Sequence, residues 1–205
     1  MGQVLLLDEP LANLDAQLRE EMRFFIRSLQ KRVGITTVYV THDQAEAMAI
    51  SDRIVVMSKG RISQLGKAED IYMRPSNREV ASFIGVTNFI DGVIVEDATP
   101  GSCLLDTPLG VFQCRTNRAY QRGTKATMIL RPEAVTISRE RRDEADVNSF
   151  PGTVSERIYQ GNLCGYRVRS QGLELQIQAP ATIDYQPESN VWCSVPKDKI
   201  WLVQE

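Results

Sequence analysis

The segment Val4-Leu-Leu-Leu-Asp-Glu-Pro10 sets the architecture of the first part of the chain. Its four consecutive apolar residues do not alternate with polar ones, which predicts a strand buried on both faces, as in a parallel sheet. Pro10 ends the strand because proline has no N–H to donate to a neighbouring strand. In open α/β sheets, ligands bind outside the carboxyl ends of the strands, where Asp8 and Glu9 lie. An adjacent pair of carboxylates at this place would allow one to bind Mg²⁺ and the other to orient or activate a water molecule. The alternative interpretation is that the strand simply ends in a polar turn without a function.

The next residues predict a helix and a second strand. Apolar side chains recur at helical spacing within residues 14–33, and Asn13 or Asp15 is available to cap the helix. Residues 35–40 are mostly β-branched and are followed by Thr-His42-Asp. A strand, a crossover helix and a strand make a parallel pair, and parallel strands end at the same edge of the sheet. We therefore expect His42 to lie close to the acidic pair, although the two are distant in sequence.

Three short motifs resemble the ATP-binding subunits of ABC transporters. Leu-Leu-Leu-Asp8-Glu-Pro resembles the Walker B strand, Leu-Ala-Asn-Leu-Asp15 the D-loop, and Val-Thr-His42-Asp-Gln-Ala-Glu-Ala the switch-histidine loop. The resemblance implies that Asp8 holds Mg²⁺, that Glu9 polarises the water that attacks ATP, and that His42 contacts the γ-phosphate. It also implies that Asp15 lies in the loop that meets a partner subunit in the closed dimer. Three motifs in this order are more specific than any one of them.

The same resemblance assigns residues 1–87 to the carboxyl-terminal portion of a P-loop NTPase nucleotide-binding domain, with an α/β fold. The phosphate-binding loop of such domains reads G-x-x-x-x-G-K-[ST]. The nearest stretch, residues 60–68, has one residue too many between its glycines and an alanine in place of Ser or Thr. The chain therefore looks like the carboxyl-terminal part of a longer subunit, and the fragment alone is predicted to be inactive as an ATPase. The open edge of its first strand predicts self-association through residues 1–85.

A short helix and a hairpin are predicted to complete this domain. Residues 44–51 have the spacing of a helix with Ala45, Met48 and Ala49 facing inward. A Lys-Gly turn at residues 59–60 is flanked by two β-rich runs, which predicts a hairpin. The segment around this hairpin also resembles the importer subunits of the family, which serve polyamines, sugars, ferric iron or sulfate.

The second half of the chain repeats itself. From Asn88 onward, short β-rich runs alternate with Gly, Pro and Asp turns. Asn88-Phe-Ile-Asp-Gly-Val-Ile resembles Asn148-Ser-Phe-Pro-Gly-Thr-Val, and a second pair of similar stretches surrounds Pro132 and Pro196. A repeat of roughly sixty residues predicts one β unit that occurs twice, and small barrels of the OB type fit such units. We expect residues 88–205 to form an all-β OB-like domain built from two related units.

This β domain resembles the transport-associated OB (TOBE) domain of the same family, with Leu130-Arg-Pro-Glu-Ala-Val and Tyr159-Gln-Gly-Asn162 as its markers. The domain either binds a small regulatory ligand or a regulatory protein, or only braces two subunits. Nucleic-acid binding is disfavoured, because a net charge of −2 and 7% aromatic residues do not supply a basic groove with stacking rings. The four cysteines show no C-x-x-C spacing and there is one histidine, which argues against a zinc site and favours reduced thiols.

Together these features predict the ATPase subunit of an ABC importer. The resemblance implies a homodimer that works with transmembrane permease subunits at the cytoplasmic face of the inner or plasma membrane. No apolar run approaches the ~18 residues that a membrane helix needs, so this association would be peripheral. ATP and Mg²⁺ are the implied cofactors, no nucleic acid is expected as a partner, and polyamine-type import is preferred. The alternative is a regulatory or dimerisation module without catalytic activity.

Overall fold

The computed structural model describes residues 4–203 and divides into two compact units. The amino-terminal unit extends to Ser76, and the carboxyl-terminal unit begins at Asn77. The first unit mixes helices and strands, whereas the second consists of one helix, two short 3-10 turns and ten strands within the described range.

The amino-terminal unit contains the predicted strand–helix–strand motif and the predicted hairpin. Its elements are β1 (Val4–Asp8), α1 (Ala16–Val33), β2 (Thr36–Val40), α2 (Gln44–Ile50), β3 (Ile54–Ser58), β4 (Arg61–Gly66) and α3 (Ala68–Met73). Strands β1 and β2 pair in parallel, with Asp8 opposite Val40, as the topology predicts. Strands β3 and β4 form an antiparallel hairpin that turns at Lys59 and Gly60, whose φ angles are 48° and 73°. Two consecutive positive φ angles are the requirement of a type I′ hairpin turn.

Helix α1 is capped at both ends by its own sequence. Asp15, one of the two predicted candidates, accepts a hydrogen bond from the Leu18 N–H through Oδ1 at 2.9 Å. Gly34 adopts the left-handed conformation at φ 69°, and its N–H donates to the Gln30 carbonyl oxygen at 2.9 Å. Within residues 4–203, no helix combines the length and the apolar character needed to cross a membrane.

Much apolar surface of this unit is exposed. The exposed large apolar side chains include Val4, Leu5, Leu6, Leu18, Phe24, Phe25, Leu29, Val33, Val38, Val40, Val55, Met57, Ile62 and Leu65. The prediction that β1 is buried on both faces is therefore wrong for the described chain, in which Leu6 is 72% exposed. Among residues 4–203, β1 pairs only with β2, which covers one edge of the strand, and the exposed Val4, Leu5 and Leu6 show that neither of its faces is fully covered.

Helix α2 turns a different face inward from the one predicted. Ala45 and Ala49 are exposed and Met48 is half-buried, whereas Glu46 and Ile50 are buried. Glu46 faces inward because its carboxylate accepts hydrogen bonds from two hydroxyl groups near the end of β2. The inner face of this short helix thus carries the hydrogen-bonded carboxylate of Glu46 instead of the alanines that we expected there.

The carboxyl-terminal unit repeats one arrangement of strands. Its elements are α4 (Arg78–Ile84), β5 (Asn88–Ile94), β6 (Gly101–Thr107), β7 (Gly110–Thr116), β8 (Lys125–Leu130), β9 (Thr136–Ser138), β10 (Val147–Tyr159), β11 (Leu163–Ser170), β12 (Leu173–Pro180), β13 (Asn190–Pro196) and β14 (Trp201–Val203). A 3-10 turn precedes the last strand of each set, at Pro132–Ala134 and at Lys197–Lys199. The sets β5–β9 and β10–β14 therefore follow the same order, as the repeat in the sequence predicts.

The two sets exchange their last strands. Strands β7-β6-β5-β8-β14 form a closed barrel, and strands β12-β11-β10-β13-β9 form a five-stranded sheet in the matching order. Leu202 of β14 lies opposite Met128 of β8, and Ile137 of β9 lies opposite Cys193 of β13. One hydrophobic core contains side chains from both sets. Each OB-like unit is thus completed by a strand from the other repeat.

Gly92 and Gly152 hold the same place in the two repeats, and at both a neighbouring strand approaches closely. A Cβ atom on Gly92 would lie 2.4 Å from the carbonyl oxygen of Asp106. On Gly152 it would lie 2.4 Å from Cγ1 of Val168 and 3.2 Å from the carbonyl oxygen of Arg169. Any larger residue would push the adjacent strand away, so both repeats need glycine for close packing of two strands.

Asn88 and Asn148, the first residues of the two similar stretches, are buried and connect the sets reciprocally. Nδ2 of Asn88 donates to the carbonyl oxygens of Gln176 at 2.8 Å and Leu130 at 3.2 Å, and the Gln176 N–H donates to Oδ1 at 2.7 Å. In the other direction, the N–H of Gln113 donates to Oδ1 of Asn148, and Nδ2 of Asn148 donates to the Gln113 carbonyl oxygen, both at 3.1 Å. Each asparagine therefore satisfies backbone groups of the opposite set.

Helix α4 belongs to the carboxyl-terminal unit, which begins before the predicted domain boundary after residue 87. The buried Arg131 explains this. Its Nη1 lies within 3.2 Å of the carbonyl oxygens of Ala81, in the last turn of α4, and of Gly85 and Val86, directly after the helix. Ala81 also packs in a small buried cluster with side chains of the barrel. The functional division of the chain at that predicted boundary stays a prediction.

Candidate functional site

The side chains of Glu9 and His42 meet at the carboxyl edge of β1 and β2. Nδ1 of His42 lies 2.9 Å from Oε1 of Glu9. Because a carboxylate only accepts hydrogen bonds, Nδ1 carries the hydrogen, and Nε2 is the ring nitrogen left for another ligand. The structure thus brings together two of the residues that the parallel topology predicts to be neighbours, while their catalytic roles stay predictions.

The backbone at Glu9 is unusual. Its φ angle is 44°, in the left-handed region, and its N–H donates to the carbonyl oxygen of Val40 at 2.9 Å. A residue other than glycine in this region costs roughly 1–3 kcal/mol, and such residues cluster at functional sites. The hydrogen bond to Val40 holds this conformation directly after β1, where the chain turns away from the sheet.

Electrostatics favour a protonated imidazole. The hydrogen bond to Glu9 and the negative charge of its carboxylate raise the pKa of His42 above its usual value. The carboxylates of Asp43 and Glu46 raise this pKa further, by smaller amounts. The side chains of His42 and Glu9 are 74% and 46% exposed, so an anionic ligand has access to both. A cationic ring held at the end of a parallel strand pair suits a phosphate group.

The turn that carries His42 is held by a buried carboxylate. Glu46 is 3% exposed, and its Oε2 accepts hydrogen bonds from the Tyr39 hydroxyl at 2.9 Å and the Thr41 hydroxyl at 2.8 Å. Burial, followed by the hydrogen bond and charge of Glu46, raises the pKa of Tyr39 far above its usual value. The Thr41 hydroxyl oxygen also accepts from the Asp43 N–H at 2.9 Å.

Asp43 anchors the other side of the turn to two helices. Its Oδ1 accepts from the N–H groups of Ala45 at 2.8 Å and Glu46 at 3.1 Å, which caps α2. Its Oδ2 lies 3.3 Å from Nη2 of Arg23 and 3.8 Å from Nη1 of Arg19, both on α1. The residues before and after His42 are therefore fixed, whereas the ring itself is exposed.

The other two predicted site residues lie close by in the chain. Asp8 is the last residue of β1 and is exposed, directly before Glu9. Asp15 is exposed and caps α1, and its contact with a partner subunit stays a prediction. In the described part of the chain, no three His, Cys, Asp or Glu side chains form a group that could hold a metal ion. Mg²⁺ often takes one or two carboxylates and completes its shell with water and phosphate, so Asp8 fits as a single protein ligand.

Residues of the described part of the carboxyl-terminal unit line two open cavities that could hold a ligand. One of about 330 Å³ is lined by Arg139, Arg169 and Trp192 among others, and Arg169 pairs with Glu188 at 2.8 Å. The other, of about 530 Å³, is lined by residues of both charge signs. The regulatory role of this unit stays a prediction.

Comparison with known proteins first defines the class of the carboxyl-terminal unit. Residues 128–203 match the TOBE domain family. The fold also resembles the molybdate-bound form of the cytoplasmic molybdate-binding protein ModG, with a TM-score of 0.51 and 12% identity, over 65% of this chain and 100% of that one. At this identity the likeness shows the fold alone, and it agrees with the predicted OB-like architecture.

Longer matches then identify individual relatives. The spermidine/putrescine import ATP-binding protein PotA of Thermotoga maritima is 43% identical over 168 residues, which are 82% of this chain and 46% of that protein. PotA of Chromobacterium violaceum is 40% identical over 182 residues, which are 88% of this chain and 50% of that protein. The chain thus spans about half the length of the curated relatives it matches. These matches confirm the resemblance: the chain is related to ATP-binding subunits of ABC importers and carries a TOBE domain.

Sequence reasoning missed Glu46 and Arg131 as residues that hold their surroundings in place. Glu46 stands three residues after Asp43, a spacing that predicts a capping box in which the glutamate reaches back to the N-cap N–H. Instead it accepts from Tyr39 and Thr41. The available signal was the pair of hydroxyl residues before α2, Tyr39 on β2 and Thr41 directly after it, because a buried carboxylate needs donors.

Proposed function

We propose that this chain is the carboxyl-terminal part of the ATPase subunit of an ABC importer, in which ATP hydrolysis drives solute uptake. The hydrogen bond between Glu9 and His42 at the carboxyl edge of β1 and β2 carries this proposal, because it joins a carboxylate and an imidazole at the edge of the sheet where open α/β sheets bind ligands. The relatedness to import ATP-binding proteins supports it.

Each of the three residues has a distinct task in this function. Glu9 polarises the attacking water with its carboxylate, in the manner of a general base. His42 uses Nδ1 to bond Glu9 and offers Nε2 to the γ-phosphate, and its raised pKa favours the cationic form of the ring at a site of growing negative charge. Asp8 would hold Mg²⁺, which when bound neutralises charge on the β- and γ-phosphates. In-line attack of water on the γ-phosphate completes hydrolysis.

The proposal extends to partners and substrate. Two copies of the subunit would enclose ATP with the Asp15 loops at their contact, and would dock on transmembrane permease subunits at the cytoplasmic face of the membrane. The names of the relatives favour spermidine and putrescine as transported solutes. The 205-residue sequence contains no G-x-x-x-x-G-K-[ST] motif, so the chain alone is expected neither to bind ATP tightly nor to hydrolyse it.

The test is ATP turnover and ATP binding in the complete subunit. Glu9→Gln is expected to retain binding and to lose most turnover, because the carboxylate acts on water and not on nucleotide affinity. His42→Ala is expected to behave in the same way. Glu140→Gln, the same change at an exposed position of the carboxyl-terminal unit, should leave both properties unchanged. Near wild-type turnover in Glu9→Gln would refute the role of Glu9 and favour the non-catalytic alternative.

A further inference from the structure

We propose that Glu46 is a positioning residue, whose buried carboxylate fixes the turn between β2 and α2 so that His42 faces Glu9. Glu46 does not touch the proposed nucleotide site. It lies under the turn at 3% exposure and holds the hydroxyl groups of Tyr39 and Thr41 on a single oxygen, Oε2. The catalytic consequence of this inference rests on the proposed function, but the geometry can be tested without ATP.

The exposure of His42 is what makes the turn important. Its side chain is 74% exposed, so packing by neighbours does not determine the direction of the ring. Two things determine it: the hydrogen bond to Glu9 and the backbone of the turn. The turn is held by Glu46 through Thr41 on one side and by the capping residue Asp43 on the other.

The chemistry of the site requires an acceptor rather than a particular charge. Two hydroxyl donors converge on one oxygen, and loss of that oxygen leaves both hydroxyl groups without their buried acceptor. A glutamine at this position still presents a carbonyl oxygen to the two donors, although without charge assistance. Alanine presents nothing. Glu46→Gln and Glu46→Ala therefore separate the loss of negative charge from the loss of the hydrogen-bonded anchor.

The chain offers a clean probe, because His42 is its single histidine. NMR spectra of the 205-residue chain labelled at histidine report this ring alone, through its nitrogen shifts and its pKa. The carboxylates that act on His42 are those of Glu9, Asp43 and Glu46. Glu9→Gln gives the nitrogen shifts and the pKa of His42 without the carboxylate of Glu9, and the changes in the other variants are compared with this change.

The expected result is an ordered series. Glu46→Ala moves the Nδ1 shift and the pKa of His42 by at least half of the change seen in Glu9→Gln, while Glu46→Gln stays near wild type. Adding Glu46→Ala to Glu9→Gln gives little further change, because both remove the same contact. Equal effects of Glu46→Gln and Glu46→Ala would mean that only charge matters, and would overturn the proposal. So would a wild-type signal in Glu46→Ala.

A milder pair of variants covers the case in which Glu46→Ala unfolds the amino-terminal unit. Thr41→Val removes one donor at similar volume, and Thr41→Ser keeps it. Thr41→Val is expected to shift the His42 signal in the direction of Glu9→Gln, and Thr41→Ser to restore the wild-type signal. Identical signals from the two variants would refute the proposal.

The complete subunit supplies the catalytic readout. Glu46→Ala is expected to lower kcat at least tenfold with little change in KM for ATP, and Glu46→Gln to retain most turnover. A changed His42 signal together with unchanged kcat would leave the geometry intact but refute its catalytic consequence. Loss of turnover in Glu9→Gln shows separately whether the proposed function holds.

Discussion

Replacing Asn88 with alanine removes three hydrogen bonds, two of which join the two strand sets. The change leaves one N–H and two carbonyl oxygens of Gln176 and Leu130 without this partner in a largely buried place. Leaving a buried polar group unsatisfied costs about 1–3 kcal/mol, and carbonyl oxygens tolerate the loss better than N–H groups. We therefore expect the free energy of unfolding of the carboxyl-terminal unit to fall by about 2–4 kcal/mol.

Asn148 provides a matched comparison within the same molecule. Its alanine variant loses two hydrogen bonds, both to the backbone of Gln113 and both longer than the bonds between Asn88 and Gln176. The expected loss is about 1–3 kcal/mol, smaller than at Asn88. The exposed Asn117 serves as the control, and Asn117→Ala is expected to change the stability by less than about 0.5 kcal/mol.

Urea unfolding followed by tryptophan fluorescence measures these differences. Trp192 and Trp201 are the two tryptophans of the chain, and both lie in the carboxyl-terminal unit. The midpoint and slope of the transition give the free energy of unfolding by linear extrapolation. If Asn88→Ala is no more destabilising than Asn117→Ala, the asparagine side chains do not hold the two sets together.

Three further outcomes are expected. Because the folded-state pKa of His42 is raised, its pair with Glu9 stabilises the amino-terminal unit fully below the unfolded pKa of ~6.5 and loses this contribution as pH rises through the folded value. Melting of that unit followed by circular dichroism should decline over this window in the wild type but not in Glu9→Gln, and parallel curves would contradict the pairing. Light scattering should show self-association of the whole chain but not of residues 77–205, since the exposed apolar side chains are concentrated in the first unit; a monomeric whole chain would be the contrary result. Finally, all four cysteines are buried in the second unit, where burial raises the pKa of Cys103 to about 11 and of Cys193 to about 12. A thiol reagent should therefore modify the native chain only as that unit unfolds, and rapid labelling without urea would show that the core is open.

The meeting of Glu9 with His42 could be predicted from the sequence because it follows from topology alone. A helix that connects two strands of one sheet makes the strands parallel, so both strands end at the same edge of the sheet. The residues that follow the two strands, Glu9 and His42, therefore lie at that edge. The inner face of α2 could not be predicted in this way. Helical spacing places Ala45 and Glu46 on different faces of α2, but it does not say which face is buried. Only the position of β2 shows that the hydroxyl groups of Tyr39 and Thr41 lie where they can donate to Glu46.

The repeat in the β half was visible in the sequence, but the exchange of strands was not. Similar stretches that begin at Asn88 and Asn148 show that a unit occurs twice. They do not show which sheet β9 and β14 join, because both are three-residue strands whose pairing depends on contacts distant in sequence. The contact of Arg131 with the end of α4 has the same origin, since a local pattern cannot pair a side chain with a backbone carbonyl group fifty residues away.

Because the two sets exchange β9 and β14, the strands cannot pair in the order in which they are synthesised. The barrel of β5–β8 cannot close until β14, at the far end of the described chain, has been made and has paired with β8 and β7. The two halves are thus interleaved, and neither can finish folding as a separate piece. Residues 128–203, which match the TOBE family, include β14 but omit β7 and most of the barrel that receives it. Expressed by themselves, these residues contain every strand of the second sheet, including β9, but no copy carries the β7 that β14 pairs with, so the second sheet should form while β14 lacks its barrel.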